Sequence, residues 1–286
     1  MEIKDALQRY DIAKVLLDKI EGDLSGKKLL DVGCGTGNML LAAANRNAQY
    51  CLGIDLKLND YGDNHLNEIA QLNQIDISKI KMMEGLFEVN NFPSGCFDVV
   101  TLIDSIEHME NPEMVIAEIS RVLKPGGLFL LNVSPLYYSQ LGHHLFNYFS
   151  REEYPWVHLY KNFDELLHQF KVQKWSLDHF YQLNKITSNM ILEYTKIYGI
   201  EIVNFSSVEI GKDIFSSVKE KLDPSQLPSS IDDLFIESNT ILFIKRNQPP
   251  SSVRINAFLQ KWYLIFKNRK MSDHFNLSLQ EFQVNV

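Results

Sequence analysis

The chain has 286 residues, of which 45% are hydrophobic and 11% aromatic, and this apolar content excludes intrinsic disorder as its main state. Its 28 Lys and Arg against 36 Asp and Glu give a formal charge of −8, which disfavours nucleic acid as a partner. Cys34, Cys51 and Cys96 lack C-x-x-C spacing and indicate neither a disulfide framework nor a structural zinc site. Because residues 1–20 are rich in charge and no apolar run reaches the length of a membrane span, we expect a cytoplasmic protein without a transmembrane segment.

The first half of the chain alternates between strand and helix patterns. Residues 1–20 predict an amphipathic helix, whose apolar positions are Ile3, Leu7, Ile12, Leu16, Leu17 and Ile20. An apolar run at residues 27–32, a glycine turn and a helical pattern at residues 39–45 follow. Further strands are predicted at residues 50–54, 80–83, 97–103 and 128–133, and further helices at residues 65–73 and 114–123. Strands separated by helices predict a mainly parallel sheet.

The alternation stops after Val133. Residues 134–186, which we call the lid, are rich in aromatic residues and histidine and are interpreted as an insertion after the fifth strand. Regular patterns resume with a helix near residues 188–197 and strands near residues 200–205 and 240–245. These last two strands could pair antiparallel at one edge of the sheet.

Residues 246–286, which we call the tail, differ in charge from the rest of the chain. Six basic and two acidic residues give the tail +4 and leave −12 on the body. Residues 254–270 contain five of these basic residues, no acid and several aromatic side chains. The pattern fits either a basic amphipathic helix that docks to a membrane surface, a partner domain or another acidic surface, or a helix packed on the chain's own sheet.

Residues 29–37 (LLDVGCGTG) carry the strongest chemical signal. A glycine turn between a strand and a helix lets the backbone approach a ligand, and Asp31 before the turn can orient that ligand. The spacing differs from G-x-G-x-x-G, which weakens a dinucleotide interpretation, and no P-loop lysine is present. Asp55 ends the second strand, where a carboxylate can bind a ribose diol at the carboxyl edge of an open α/β sheet.

Several segments in a fixed order carry a family resemblance. They are residues 30–37 (LDVGCGTG), Asp55, residues 97–100 (FDVV), residues 106–108 (IEH) and residues 121–127 (RVLKPGG). Over roughly residues 25–135 the series resembles the class I S-adenosylmethionine-dependent methyltransferases, in particular small-molecule enzymes of the ubiquinone-biosynthesis type. The resemblance implies an enzyme that uses S-adenosyl-L-methionine and releases S-adenosyl-L-homocysteine.

The same resemblance implies the fold and its divisions. We expect an α/β protein with a Rossmann-like, doubly wound, seven-stranded sheet and a lid insertion after the fifth strand. Residues 1–133 would form the cofactor-binding core, residues 134–186 the substrate lid, residues 187–245 the completion of the core sheet, and residues 246–286 a basic C-terminal tail or helix.

The resemblance also implies which residues hold the cofactor. They are Asp31, Gly33, Cys34, Gly35, Gly37, Asp55, Leu86, Phe87, Ile103, Asp104 and Ser105. The glycine loop with Cys34 would wrap the methionine part, Asp31 would face its amino group, and Asp55 would hold the ribose hydroxyls. Leu86 stands where relatives often have an Asp for the adenine amino group, and this departs from the family pattern. The residues that end the fourth strand would lie beside the sulfonium.

Methyl transfer to a hydroxyl or an amine needs an aligned nucleophile and a base that removes its proton. Histidine is the natural base near neutral pH. The candidates are His108, near the cofactor strand, and His143, His144 and His158 in the lid. We expect O-methylation of a small, partly apolar metabolite, although the lid histidines and aromatics could instead close a small core of the lid itself.

Other chemistry stays open at this point. Asp104, Glu107 and His108 form D-x-x-E-H, which with His143 or His144 offers ligands for a divalent metal, although the preferred prediction contains no metal. N- or C-methylation of a small molecule or peptide is a further alternative. A non-catalytic cofactor-binding partner subunit is the alternative from another class. The oligomeric state does not follow from the residues.

Overall fold

The computed structural model describes residues 3–58, 60–246, 249, 251–254, 257, 260 and 261, with the side chains of residues 60–64 left aside. The strands are β1 (Lys28–Val32), β2 (Tyr50–Asp55), β3 (Ile80–Glu84), β4 (Phe97–Ile103), β5 (Leu123–Val133), β6 (Ile200–Glu209) and β7 (Ile236–Lys245). The helices are α1 (Ile3–Leu17), α2 (Asn38–Asn45), α3 (Asp60–Asn73), α4 (Pro112–Val122), α5 (Phe163–Gln169), α6 (Lys174–Tyr181), α7 (Ser188–Ile197) and α8 (Phe215–Val218). A short 3₁₀ turn, Ile106–His108, follows β4.

All seven strands form a single sheet in the order β3-β2-β1-β4-β5-β7-β6. Strands β1 to β5 pair in parallel, whereas β7 is antiparallel to both β5 and β6. The order reverses beside β1, so β1 and β4 border the point where an open α/β sheet binds its ligand. The predicted seven-stranded α/β fold is confirmed, as is the antiparallel pair formed by the last two strands.

The sheet lies between two helical layers because neighbouring residues of its central strands point to opposite faces. In β1, Leu29 packs with α1, α2 and α3, and Leu30 packs with α4 and α7. Both leucines are completely buried. The strands therefore read as continuous apolar runs in the sequence.

Helix α4 begins as its sequence predicts. The Asn111 side chain accepts a hydrogen bond from the Met114 N–H at 3.2 Å, and Pro112 occupies the first turn. Strand β5 begins earlier than predicted, at Leu123. Leu123 pairs with Phe97 and Leu128 with Val99, so the pairing with β4 continues across a bulge.

Helix α1 corrects the predicted apolar face. The side chains that it buries include Ala6, Tyr10 and Ala13, together with the predicted Leu17. Ile12, which the periodicity placed inside, is 51% exposed. The small alanines let α1 approach α2 closely, and Ile12 is left on the side of the helix that faces a cavity.

The lid has a hydrophobic core of its own. Phe149, Trp156 and Leu159 are completely buried there, and residues 214–235 contribute further side chains to the same cluster. The Trp156 indole N–H donates to the Leu234 carbonyl oxygen at 2.9 Å. Part of the aromatic content of the lid therefore serves packing.

In its described residues, the tail contacts the body of the chain. Val253 and Ala257 pack against the core beside α4, and the Lys261 ammonium donates to Glu118 Oε1 at 2.7 Å. These contacts agree with the alternative of a helix packed on the chain itself. Residues 262–286, which include the rest of the predicted basic helix, lie outside the described part.

No helix within the described residues is long and apolar enough to cross a membrane. Cys34, Cys51 and Cys96 are free thiols, as the absence of a disulfide pattern predicted.

Candidate active site

The glycine loop turns sharply between β1 and α2. Gly33, Gly35 and Gly37 have φ values of +69°, +51° and +78°, in the left-handed region that favours glycine. A Cβ on Gly33 would lie 2.4 Å from Ser105 Oγ, so this glycine permits the contact between the loop and the end of β4. A Cβ on Gly35 would meet no atom within 4 Å, because it would project into an open cavity.

That cavity measures about 750 Å³ and lies at the carboxyl ends of β1, β2 and β4. Among the predicted cofactor residues, its lining contains Asp31, Gly33, Cys34, Gly35, Asp55, Ile103, Asp104 and Ser105. The fold therefore brings together most of the residues that the family resemblance implied. The cavity is large enough for a nucleoside-sized ligand.

Three predicted residues lie outside the lining of this cavity. Gly37 begins α2, and a Cβ there would meet the Leu66 side chain at 2.6 Å, so its role is to let α2 pack closely on α3. The Phe87 side chain is 3% exposed and belongs to the core, and Leu86 packs against that core. Neither residue of this pair lines the cavity.

Asp31 is the most strongly perturbed acid of the cavity. Its side chain is 3% exposed, and one carboxylate oxygen accepts a hydrogen bond from the Thr101 hydroxyl at 2.6 Å. Burial raises the pKa of Asp31 to about 7, the Thr101 hydrogen bond lowers it, and the charge of Asp55 raises it further. A cationic amino group in the cavity would stabilise the ionised carboxylate, so Asp31 fits the amino group of an amino-acid ligand.

Two further acids of the cavity, Asp55 and Asp104, are fixed by the loops around them. Asp55 Oδ2 accepts a hydrogen bond from the Gly35 N–H at 2.8 Å, which joins the end of β2 to the glycine loop. Asp104 has φ +45°, and its Oδ1 accepts from the Asn132 amide at 2.7 Å. Burial raises the pKa of Asp104 to about 6, and the nearby Arg9 guanidinium partly offsets this.

Helix α1 forms one wall of the cavity, which the sequence did not reveal. Gln8, Arg9, Ile12 and Leu16 line it from this helix. The signal available was the apolar Ile12 within an otherwise charged stretch, but periodicity alone assigned it to the protein core. Arg9 adds a cation to a cavity whose other charged lining residues include Asp31.

Two of the predicted histidine bases are packed inside the lid. His143 and His158 are 0% and 4% exposed, and their ring centroids lie 5.7 Å apart. His143 Nδ1 accepts from the Leu145 N–H, and His158 Nε2–H donates to the Tyr137 carbonyl oxygen at 2.6 Å. Burial lowers the pKa of His143 to about 2 and that of His158 to about 3, so both rings are neutral and shielded.

The other two predicted histidines meet near the end of β4. His108 and His144 are half-buried, with ring centroids 5.2 Å apart. His144 Nε2–H donates to the Pro135 carbonyl oxygen at 3.3 Å, which leaves Nδ1 without its proton. Burial lowers the pKa of both rings to about 4, so both are neutral near pH 7.

A third histidine, which no sequence motif singled out, joins this pair. The ring of His179, on α6, lies 4.6 Å from that of His108 and 6.1 Å from that of His144, measured between centroids. Glu107, the neighbour of His108 in the chain, is 1% exposed, and its Oε1 lies 3.9 Å from His108 Nε2. Burial raises the pKa of Glu107 to about 8.

Residues 30–131 match a family model described as a methyltransferase domain. This segment belongs to the class I S-adenosylmethionine-dependent methyltransferases. The match spans the glycine loop, the acid at the end of β2 and the carboxyl end of β4, and the predicted methyltransferase domain and its fold are confirmed. The open space at Gly35 and the buried Asp31 carboxylate fit S-adenosylmethionine.

Curated relatives of this methyltransferase domain cover different reactions. A "Ubiquinone biosynthesis O-methyltransferase" of Dechloromonas aromatica is 36% identical over 134 residues, which are 45% of this chain and 56% of that protein. A protein of the same name from Neisseria meningitidis is 34% identical over 139 residues, 46% of this chain and 56% of its own length. A "Sterol 24-C-methyltransferase" of Gibberella zeae is 36% identical over 104 residues, 36% of this chain and 27% of its own length. The chain therefore spans little more than half the length of the ubiquinone relatives.

The similarity to solved structures with the same methyltransferase fold extends beyond the matched domain. A geranyl diphosphate C-methyltransferase from Streptomyces coelicolor has a TM-score of 0.52 at 15% identity, over 83% of this chain and 79% of its own. The [4+2]-cyclase SpnF has a TM-score of 0.51 at 17% identity, over 83% of this chain and 80% of its own. At this identity the likeness concerns the fold alone, and enzymes named for different reactions share it.

Proposed function

We propose that the chain transfers a methyl group from S-adenosylmethionine to an oxygen atom of a small, partly apolar molecule. The observation that carries the proposal is the neutral imidazole pair of His108 and His144, which is tied to the cavity residue Ser105 by a hydrogen bond from the His108 backbone N–H to the Ser105 carbonyl oxygen. Proton removal from a hydroxyl needs such a base, whereas attack by a carbon–carbon double bond does not need one at the same stage. The relatives named as O-methyltransferases support the same choice.

The chain's own groups would hold the cofactor in a defined orientation. Asp31 would bind the amino group, the glycine loop would wrap the methionine part, and Asp55 would hold the ribose hydroxyls. The bound cofactor supplies an electrophilic methyl group on its sulfonium. Because that group is already reactive, the protein's main tasks are alignment of the acceptor and removal of its proton.

The substrate would bind between the cavity and the lid. Ile12 and Leu16 of α1 offer an apolar wall on the side of the cavity. His108 or His144 would take the proton of the acceptor hydroxyl at an unprotonated ring nitrogen. Because His143 and His158 are enclosed in the lid core, we assign them to the shape of the lid rather than to the base.

In the test, the purified full chain is incubated with S-adenosylmethionine and a panel of small phenols, alcohols, amines and alkenes. The release of S-adenosylhomocysteine is measured for each acceptor. We expect turnover with a phenol or alcohol, and a loss of at least about 100-fold in kcat in His108→Gln. Calorimetric affinity for S-adenosylhomocysteine should stay unchanged in this variant. His168→Gln, at an exposed position of α5, is the matched control and should retain full activity.

The outcomes separate the alternatives. Turnover on carbon or nitrogen acceptors alone would replace O-methylation by the N- or C-methylation that the sterol relative favours. Cofactor binding without turnover on any acceptor would favour a non-catalytic partner subunit. Failure to bind S-adenosylhomocysteine would contradict the methyltransferase proposal for the whole chain.

A further inference from the structure

Three histidines from distant parts of the chain converge on one point beside the cavity. His108 comes from the 3₁₀ turn after β4, His144 from the lid and His179 from α6. One ring nitrogen of each lies within 4.8 Å of those of the other two. This cluster differs from the metal set that the sequence suggested, because Asp104 is held by Asn132 and His143 is enclosed in the lid core.

We propose that His108, His144 and His179 form a binding site for a divalent transition-metal ion of the Zn²⁺ class. The site goes beyond the proposed function, and the two uses of His108 and His144 exclude each other at any one moment, because a ring nitrogen that binds the ion cannot take a proton. Each imidazole can offer one ring-nitrogen lone pair to a cation, and the three nitrogens here lie within 4.8 Å of one another. A cation at their centre would satisfy all three nitrogens.

A buried carboxylate gives a second, independent indication of a cation. Glu107 is 1% exposed, and neither of its side-chain oxygens has a hydrogen-bond partner among the described residues. Its Oε1 lies 3.9 Å from His108 Nε2, at the edge of the histidine cluster. A buried carboxyl group without a hydrogen-bond partner is costly, and a divalent ion next to it would offset that cost.

The hydrogen bond of His144 matches the pattern of a metal ligand. Histidines that bind metals usually donate their second ring N–H to a carbonyl or carboxylate, which fixes the tautomer. His144 Nε2–H donates to the Pro135 carbonyl oxygen, so Nδ1 is the nitrogen left for the ion. The backbone at His144 has a φ of +54°, so the ring points in a different direction from the one that an extended backbone would give it.

The ligand set selects the type of metal. Imidazole nitrogens suit Zn²⁺, Co²⁺, Ni²⁺ and Cu²⁺, whereas Mg²⁺ prefers oxygen ligands. A tetrahedral ion with Zn–N bonds of about 2.0 Å needs ligand nitrogens about 3.3 Å apart, so the cluster must contract on binding. The exposed His179 can supply that movement by rotation of its side chain.

Three protein ligands would leave one coordination position open. In catalytic zinc sites that position takes water or a substrate oxygen. A hydroxyl bound there would lie beside the carboxyl end of β4. This use of the ion rests on the proposed function, but the binding site itself does not.

Co²⁺ is the probe for the test, because its visible absorption reports the coordination geometry. The untagged, metal-free full chain is titrated with Co²⁺, followed by competition with Zn²⁺ and with Mg²⁺. We expect one Co²⁺ per chain, visible bands of a four- or five-coordinate ion, displacement by Zn²⁺ and no displacement by Mg²⁺. Thiolate charge-transfer bands should be absent, since the proposed ligands are nitrogen.

His179→Gln is the decisive variant, because an exposed residue can be changed without disturbing the core. We expect it to lower Co²⁺ affinity by at least about 100-fold, more than second-sphere substitutions typically do. His168→Gln, an exposed histidine on the preceding helix, should leave the affinity unchanged. Equal loss in both variants, or a lack of stoichiometric Co²⁺ binding, would overturn the proposal.

Calorimetry with S-adenosylhomocysteine on the same samples keeps the two proposals apart. Retained binding in His179→Gln with lost Co²⁺ binding supports a metal site distinct from the cofactor cavity. Normal O-methylation by the metal-free chain would show that the proposed function stands when the metal is absent. In that case the metal site is tested by the Co²⁺ titration alone.

Discussion

At the scale of single residues, Asp31 shows how a binding group can oppose stability. Its carboxylate is 3% exposed and has the Thr101 hydroxyl as its hydrogen-bond donor. Ionisation in this setting costs free energy, which the raised pKa of about 7 reflects. Residues perturbed by burial at the base of a cleft are typical of functional sites.

We expect Asp31→Asn to weaken S-adenosylhomocysteine binding by about tenfold to hundredfold, the range of a hydrogen bond to a charged group. The amide keeps the size of the side chain but removes the negative charge, so the thermal midpoint of the ligand-free protein should stay equal or rise. Isothermal calorimetry and thermal unfolding measure the two effects. Asp98→Asn, whose carboxylate binds Lys124 instead, should leave the affinity intact. Unchanged affinity in Asp31→Asn would remove this residue from the cofactor site.

The pH dependence of the same residue has opposite signs for folding and binding. The pKa of Asp31 in the folded state, about 7, lies above its ordinary value of 3.8. Its contribution to stability is therefore complete below about pH 4 and is lost as the pH rises through about 7. The affinity for a cationic amino group should instead rise between about pH 5.5 and 7.5, as Asp31 ionises. Asp31→Asn should abolish the rise, and an equal slope in both proteins would assign it to another group.

At the scale of elements, a glycine in the turn between β1 and α2 can be compared with a glycine elsewhere. The comparison distinguishes the cost of backbone strain from the effect of a side chain that blocks the ligand. Gly35 and Gly22 both have positive φ and open space where a Cβ would go, but only Gly35 of the two lines the cavity. We expect Gly35→Ala and Gly22→Ala to lose a similar stability, about 1 kcal/mol each. Gly35→Ala alone should weaken S-adenosylhomocysteine binding, by at least about tenfold. Urea unfolding and calorimetry test this, and equal binding in both variants would contradict the proposed position of the cofactor.

Sequence patterns predicted the elements better than the contacts between them. The strands of the sheet and the helices outside the lid, except the short α8, follow from periodicity and turn residues, and the glycine loop with Asp55 follows from short motifs. His179 escaped prediction because its approach to His108 depends on how the lid folds, which no local pattern encodes. Ile12 was placed on the wrong side because an apolar residue facing a ligand cavity looks the same as one facing the core.

At the scale of the whole molecule, the basic tail contacts the acidic body through an ion pair with a buried glutamate. Glu118 is 4% exposed and accepts hydrogen bonds from Arg121 at 2.5 Å and from Lys261 at 2.7 Å. The −12 body therefore attracts its own +4 tail at this position. A partner would have to compete with that contact before it could bind the same lysine.

A double-mutant cycle measures this contact in solution. We expect Lys261→Ala and Glu118→Gln to show a coupling free energy of about 1 kcal/mol in urea unfolding, since the two side chains share a partly buried ion pair. Lys212→Ala, whose lysine pairs with Glu209, should show no coupling to Glu118→Gln. Zero coupling for Lys261 as well would mean that the tail does not dock on α4 in solution.

If the cavity holds the cofactor as proposed, helix α1 would link product release to the amino-terminal segment. It lines the cavity through Arg9 and Ile12, and it is held to the body through Tyr10 and two alanines. Outward motion of one short helix would widen the exit for the spent product, and release steps of this kind often set kcat. A bound ligand would in turn reduce the open population by the factor 1 + [L]/Kd. The first helix would therefore act as a kinetic gate, whose strength of attachment sets how long each product stays bound.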